Sequence, residues 1–242
     1  MATFDPWKDI HFPEADHYVV RTTGIYGNDL DLLILGAIPK EKIINPLSVL
    51  KVFRSKHSQY DWFESHDISI LPWINLKGMG QLTIEKFFRL YPLCVVKPLI
   101  GQGGWGVEIL SAQTFRTWKK KKGHDDSYLL QPLVKGAREY RYFFMKHREP
   151  LILERRATSG VAANFQKNGE ASLLVLPEEI KQEMEKIVSL SGALYGAIDF
   201  FIDEGRPYVL ELNSVPGFEQ IEKISDEDLV GDFLKMIDLE NE

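Results

Sequence analysis

The spacing of apolar positions changes several times along the chain, and each change predicts an element. Residues 1–43 are hard to close into a fold, because Tyr18 to Arg21 and Leu30 to Ile38 read as short apolar strands with Pro, Gly and Asn between them. Helical spacing begins after Pro46, with Leu47, Leu50, Phe53 and later Trp62 and Phe63 on buried sides, and ends before the strand-like Ile68 to Leu71. A second helix is expected over Leu82 to Leu90. From Leu93 the pattern becomes β, with Cys94 to Lys97, a glycine cluster, and Val107 to Leu110. Ser111 can cap the next helix, whose last turn is Lys119 to Lys122. That lysine run invites a polyanion reading, but complementing the carbonyl end of the helix dipole accounts for it more simply.

The second half is rich in strands: Tyr128 to Leu133, Tyr140 to Lys146 and Pro150 to Arg156. Pro177-Glu178-Glu179 then opens a helix with the stripe Ile180, Met184, Ile187, Val188 and Ser191, ended by Gly192. Two more strands, Ala197 to Ile202 and Tyr208 to Leu212, flank the hairpin signal Asp203-Glu204-Gly205-Arg206. The pattern predicts an α+β architecture of mostly antiparallel sheets backed by helices, in two lobes. With 35 acidic against 29 basic residues, a net charge of −6 advertises no general polyanion surface, so nucleic acid is not expected as a partner. Cys94 is the single cysteine and forms no internal disulfide; a small buried hydrophobe in a reducing compartment fits it. Neither a signal-peptide pattern nor an apolar run of about 18 residues occurs, so the expectation is a cytoplasmic protein with no membrane partner.

Candidate chemistry begins with acids in the last hairpin. Glu211 and Asn213 lie two apart and share a strand face, with Leu210 and Leu212 on the other. A three-residue loop at Glu204 to Arg206 would place Asp199 opposite Glu211. Facing carboxylates are unfavourable without a cation between them, and Asp, Glu and Asn oxygens suit Mg²⁺; a coincidental acidic patch is the alternative. The cluster Gly101-Gln102-Gly103-Gly104-Trp105-Gly106 could present backbone N–H groups to phosphate, or be a plain hairpin loop. Lys97, in the apolar stretch Val95-Val96-Lys97-Pro98, calls for an anionic partner, unless Pro98 marks an edge strand on which the lysine faces water. Arg141, the pair Arg155-Arg156 and Asn164 form a third cluster. Strand alternation allows at most one of Arg155 and Arg156 to share a cleft with Arg141.

The order of these motifs resembles the ATP-grasp superfamily, most closely its RimK-like branch of carboxylate–amine ligases. The resemblance runs through V-V-K-P-L-I-G-Q-G-G-W-G-V, L-L-Q-P-L-V-K-G-A-R-E-Y-R, E-R-R-A-T-S-G and G-A-I-D-F-F-I-D-E-G-R-P-Y-V-L-E-L-N-S-V-P-G-F-E-Q-I-E-K. Upstream, I-N-P-L-S-V-L-K-V-F-R-S-K-H is similar to the segment that carries the family's first nucleotide-binding lysine, here Lys56.

This resemblance implies an ATP-grasp fold with residues 1–44 as a truncated remnant of the preceding domain, 45–131 as the N-terminal lobe and 132–242 as the C-terminal lobe. It implies ATP between the lobes: Lys56 and Lys97 on its phosphates under Gly103, Gly104 and Gly106; Gln131, Pro132 and Val134 at adenine; Glu139 at the ribose. Asp199, Glu211 and Asn213 match the Mg²⁺ ligands, with Mn²⁺ as an alternative, and Arg141, Arg156 and Asn164 match the catalytic set. A substrate carboxylate would attack the γ-phosphate, and an amine such as that of glutamate would displace phosphate from the acyl phosphate. The carboxylate would belong to a small molecule, peptide or protein; a second copy or a partner protein could complete the shortened front. Two departures stand out: Ala162 where the family usually has Arg, and Pro132 where it usually has an acid. The alternatives are an ATP-binding regulatory or partner subunit weakened in ligation, and a ligase acting on a ribosomally made peptide. The six histidines are scattered and receive no role.

Overall fold

The computed structural model describes residues 12–21, 35–101, 104–122, 127–134, 138–157 and 169–240, with backbone alone at 156–157 and 169–170. Strands β1 (Tyr18–Val19) and β2 (Ile43–Ile44) pair in parallel. Helices α1 (Leu47–Val52) and α2 (Lys56–Ser65) follow, then β3 (Ile74–Asn75), α3 (Gln81–Leu90), β4 (Cys94–Pro98), β5 (Glu108–Leu110), α4 (Ala112–Lys122) and β6 (Tyr128–Pro132). The second half contains β7 (Glu139–Met145), β8 (Leu151–Ala157), β9 (Gly169–Leu173), α5 (Glu178–Ser191), β10 (Tyr195–Asp203), β11 (Arg206–Asn213), α6 (Glu219–Ser225) and α7 (Leu229–Leu239).

Two antiparallel sheets organise the molecule: a small one ordered β3-β6-β4-β5 and a large one ordered β11-β10-β7-β8-β9. Alternation along β7 sorts the large sheet's two faces. Tyr142 and Phe144 point to a core with α1, α2 and α5, whereas Phe143 and Met145 point to a core with α6 and α7. The small sheet packs Cys94, Val96 and Leu130 against Phe87, Phe88, Phe115 and Trp118 of α3 and α4. Although α1 and α2 precede the small sheet in sequence, Val49, Tyr60 and Phe63 are buried under the large one.

Several ends follow the expected local chemistry. Ser111 and Thr114 cap α4 reciprocally, Thr114 Oγ1 accepting from the Ser111 N–H at 2.8 Å and Ser111 Oγ from the Thr114 N–H at 3.3 Å. At the lysine-rich end of α4, Lys122 pairs with Glu108 at 3.6 Å and lies over the Tyr128 ring. Gly192 closes α5 with φ of 68°.

Other expectations are corrected. Leu35–Ile38 is not a strand but a turn, closed by the Ile38 N–H on the Leu35 carbonyl at 3.2 Å; residues 30–34 lie outside the described set. The helix after Pro46 is two helices, with Gln59 Nε2 donating to the Phe53 carbonyl at 2.8 Å where the first one ends. Ile68 to Leu71 forms only an isolated bridge, Ile70 to Val209. Strand β4 lies between β6 and β5 rather than at an edge; Pro98 needs no N–H because the β5 pairing has already ended at Val96.

Candidate active site

The charged residues gather where the α6–α7 side of the large sheet runs out of helix cover. On that face, Phe143, Leu153 and Ala197 are followed along β7, β8 and β10 by Arg141, Arg155 and Asp199. Register places Asp199 opposite both Arg141 and Glu211, and Glu139 opposite Arg155. The sheet thus changes from apolar to ionic within one pleat.

The facing of Asp199 and Glu211 is as expected from the sequence, but the hairpin achieves it differently. The loop has two residues, Glu204 and Gly205, with φ of 47° and 79° and Asp203 paired to Arg206. A regular ladder from that turn would bring Leu210 opposite Asp199. A bulge at Leu210 shifts the register by one, so Phe200 pairs with Val209 whereas Asp199 pairs with Glu211 and Ala197 with Asn213. Asp199, Glu211 and Asn213 consequently share a face.

The charge opposing Asp199 comes largely from the protein itself. Arg141 forks onto it with Nε to Oδ1 and Nη2 to Oδ2, each at 2.7 Å, and Arg155 Nη2 lies 3.0 Å from Oδ2. Burial by itself would raise the Asp199 carboxyl, but the two guanidinium groups outweigh it and hold the group below the usual carboxylate range. Arg155 also reaches Glu139 Oε2 at 3.5 Å. Burial raises the Glu139 carboxyl, with Arg155 opposing that rise. Arg155, one of two alternatives in the sequence, is therefore the arginine that joins Arg141. The Arg156 side chain, Asn164 and Gly103 lie outside the described residues.

From the small sheet, Lys97 and Gln131 face the same space. Lys97 Nζ donates to Gln131 Oε1 at 2.9 Å. Burial, aided by Lys56, lowers the Lys97 ammonium to about 8, against the pull of Glu211, Glu139 and Asp199. Lys56 starts α2, where its own N–H bonds the Leu99 carbonyl at 2.8 Å, and its Nζ lies 3.4 Å from Glu211 Oε2. Gly104 and Gly106, with φ of 71° and 74°, turn the chain between β4 and β5; a Cβ on Gly106 would come within 2.9 Å of Pro98 Cγ. Pro132 ends β6 opposite Cys94, Leu133 N–H bonds the Leu93 carbonyl at 3.0 Å, and Val134 follows.

Two positioning residues carried no chemical signal in the sequence. Asn45, fully buried with φ of 58°, donates from Nδ2 to the Tyr195 and Ser214 carbonyls at 2.9 and 2.7 Å. Its Oδ1 accepts from the Leu194 and Tyr195 N–H groups at 2.8 and 3.3 Å. This ties the segment before α1 to the residue after Asn213. Tyr60, also fully buried, places its hydroxyl 3.1 Å from Gln131 Oε1 and 2.9 Å from the Leu210 carbonyl. Among the described residues, no three His, Cys, Asp or Glu side chains form a ready-made metal cage, and no helix is long and apolar enough to cross a membrane.

Comparison with known proteins identifies the family. The RimK-like ATP-grasp domain family matches residues 77–237. A D-alanine–D-alanine ligase of Bacillus anthracis is 25% identical over 243 residues, covering 91% of this chain and 74% of that protein. A probable alpha-L-glutamate ligase of Photobacterium profundum is 28% identical over 150 residues, covering 60% and 50% respectively. The solved ATP-grasp ligase PsnB, complexed with a phosphomimetic variant of its minimal precursor, Mg and ADP, superposes with a TM-score of 0.68 at 16% identity, over 88% of this chain and 67% of that one. With two antiparallel sheets that bring opposed cations and acids together, and a family match spanning most of the chain, the protein belongs to the RimK-like ATP-grasp family of ATP-dependent carboxylate–amine ligases.

Proposed function

We propose that the cleft joins an amino acid such as glutamate to the carboxylate of a peptide or protein, with ATP held between the sheets and Mg²⁺ on the hairpin. The observation that carries this reading is the set of four cations, Lys56, Lys97, Arg141 and Arg155, around Glu139, Asp199 and Glu211. In this reading Lys56 and Lys97 meet the nucleotide phosphates under the turn of Gly104 and Gly106, with Gly103 a further candidate from the sequence alone. Gln131, Pro132 and Val134 meet the base, and Glu139 meets the ribose. Residues 45–131 and 132–242 serve as the lobes, with α2 crossing between them.

Asp199, Glu211 and Asn213 fit Mg²⁺ by donor chemistry, being hard oxygen groups on one face. A carboxylate offers about four lone-pair directions. The two arginines use three at Asp199, leaving one on Oδ1. Among the described residues, Glu211 has a single 3.4 Å ion pair to exchange, and the Asn213 Oδ1 accepts one N–H, from Val215 at 3.0 Å. Bound there, Mg²⁺ would offset negative charge on phosphoryl oxygens. Arg141 and Arg155, with Asn164 as a further candidate from the sequence, would face charge developing as the substrate carboxylate attacks the γ-phosphate and the amine then displaces phosphate; Arg156, expected in that role, follows Arg155 on β8 and so lies on the opposite face of the strand. Fixed placement of the two substrates supplies the remainder, so no enzyme nucleophile is needed.

Purified protein with Mg²⁺, ATP and pools of amino acids and peptides tests the reading. The expected result is ADP release that requires both a carboxylate and an amine, with hydroxylamine trapping the acyl phosphate as a hydroxamate. Tight nucleotide binding without turnover in any pool would replace it with an ATP-binding partner subunit, the role to which Ala162 in place of the usual Arg would point.

A further inference from the structure

Tyr60 sits where the two sheets meet, and its hydroxyl lies between two oxygens that it cannot serve together. Gln131 Oε1 is 3.1 Å away on the small sheet and the Leu210 carbonyl 2.9 Å away on the large one. A phenol carries one proton, so it donates to one oxygen at a time. Gln131 Oε1 also accepts from Lys97. Because an ammonium only donates, that contact fixes the amide with its oxygen toward Lys97. Gln131 Nε2 is then buried with no partner, in a residue that is fully enclosed. Such orphaned donors are uncommon and ask for a physical reason.

One rotation removes the competition at the Tyr60 hydroxyl and replaces the orphaned donor with an acceptor, the less costly of the two to leave unpaired. Once the Lys97 ammonium turns to another anion, the Gln131 amide is free to flip. Nε2 then donates to the Tyr60 hydroxyl oxygen, and the Tyr60 proton goes to the Leu210 carbonyl. Leu210 is the extra residue of the β11 bulge, next to Glu211. We propose that Lys97, Gln131 and Tyr60 form a two-state hydrogen-bond relay through which a phosphate on Lys97 locks the Leu210 bulge and so holds Glu211 ready for a divalent cation. This rests on the reading above that Lys97 meets nucleotide phosphate and Glu211 meets Mg²⁺. Tyr60 is a positioning residue in this scheme, touching neither ligand.

The test is calorimetric binding of a non-hydrolysable imido analogue of ATP, once with Mg²⁺ and once with EDTA, in the full-length protein. The ratio of the two affinities measures the coupling. Tyr60→Phe should reduce that ratio by about fivefold to tenfold, the scale of one hydrogen bond, and leave the affinity in EDTA unchanged. In the wild type, the side-chain amide ¹⁵N resonance of Gln131 should shift when the analogue is added in EDTA, and shift measurably less in Tyr60→Phe, where only the contact to the base remains. Should Tyr60→Phe fail to fold, Gln131→Met must lower the ratio by the same factor. A folded double variant must lower it no further. An unchanged ratio in a folded single variant, or losses that add in the double, would overturn the relay. A wild type that binds the analogue equally with and without Mg²⁺ would overturn it too, whereas a wild type that binds no analogue at all would overturn the functional reading beneath it.

Discussion

Lys97 shows how one residue's surroundings set a measurable dependence on pH. Its ammonium, brought down to about 8 by burial and by Lys56, is largely charged at pH 7 and largely neutral at pH 9. A phosphate that pairs with the charged form should bind about tenfold more weakly at pH 9 than at pH 7, and Lys97→Arg should flatten that profile, as titration calorimetry can show. The stability sign is the reverse: between about 8 and the ordinary lysine value the unfolded chain holds a proton that the folded chain releases, so this group favours folding increasingly as pH rises through that window. Glu211→Gln should abolish Mg²⁺-dependent nucleotide binding with an unaltered circular dichroism spectrum, because the side chain is part-exposed and has one 3.4 Å ion pair. Unchanged Mg²⁺ dependence would remove Glu211 from the metal site. At this scale Lys97, Asp199 and Glu211 were legible, because a charge in an apolar strand is conspicuous, whereas Lys56 and Glu139 were indicated only by the family resemblance. The choice between Arg155 and Arg156 was not, since it depends on how β7 and β8 align, and Arg141 opposite Leu153 fixes that alignment only in three dimensions.

Elements were legible where their own composition carries the period. Strands β4, β7, β8 and β10 and helices α3, α4 and α5 lie within a few residues of their expected positions. Strand β9, Gly169–Leu173, has little β propensity of its own and exists by pairing with β8. Helix α7 did show helical spacing in Leu229, Phe233 and Met236, and went unread; α6 buries only Ile221 and gives no pattern. The β10–β11 hairpin is the most instructive, because a short turn and a bulge give the pairing that a longer turn alone would have given. Its tip offers a stability test away from the cleft. Glu204 holds φ of 47° at the first loop position, where Asn is better tolerated. Glu204→Asn should raise stability by about 0.5–1 kcal/mol in urea denaturation, with turnover unaffected.

For the molecule as a whole, the sheets are held in relation by a few buried polar side chains as well as by the core. Asn45→Ala would strand the Leu194 and Tyr195 backbone groups and the Ser214 carbonyl and force alanine into a left-handed conformation. Its expected destabilisation is on the order of 3 kcal/mol, measurable by denaturant midpoint. A loss below about 1 kcal/mol would mean that water replaces the amide. The bulge carries a further consequence. Val209 faces Phe200 and Glu211 faces Asp199 with one residue left over between them, so excising Leu210 keeps the downstream strand in frame: every cross-strand couple survives in a shorter, straighter ribbon. What such a deletant gives up is the seam, the carbonyl on which the neighbouring layer is stitched through Tyr60.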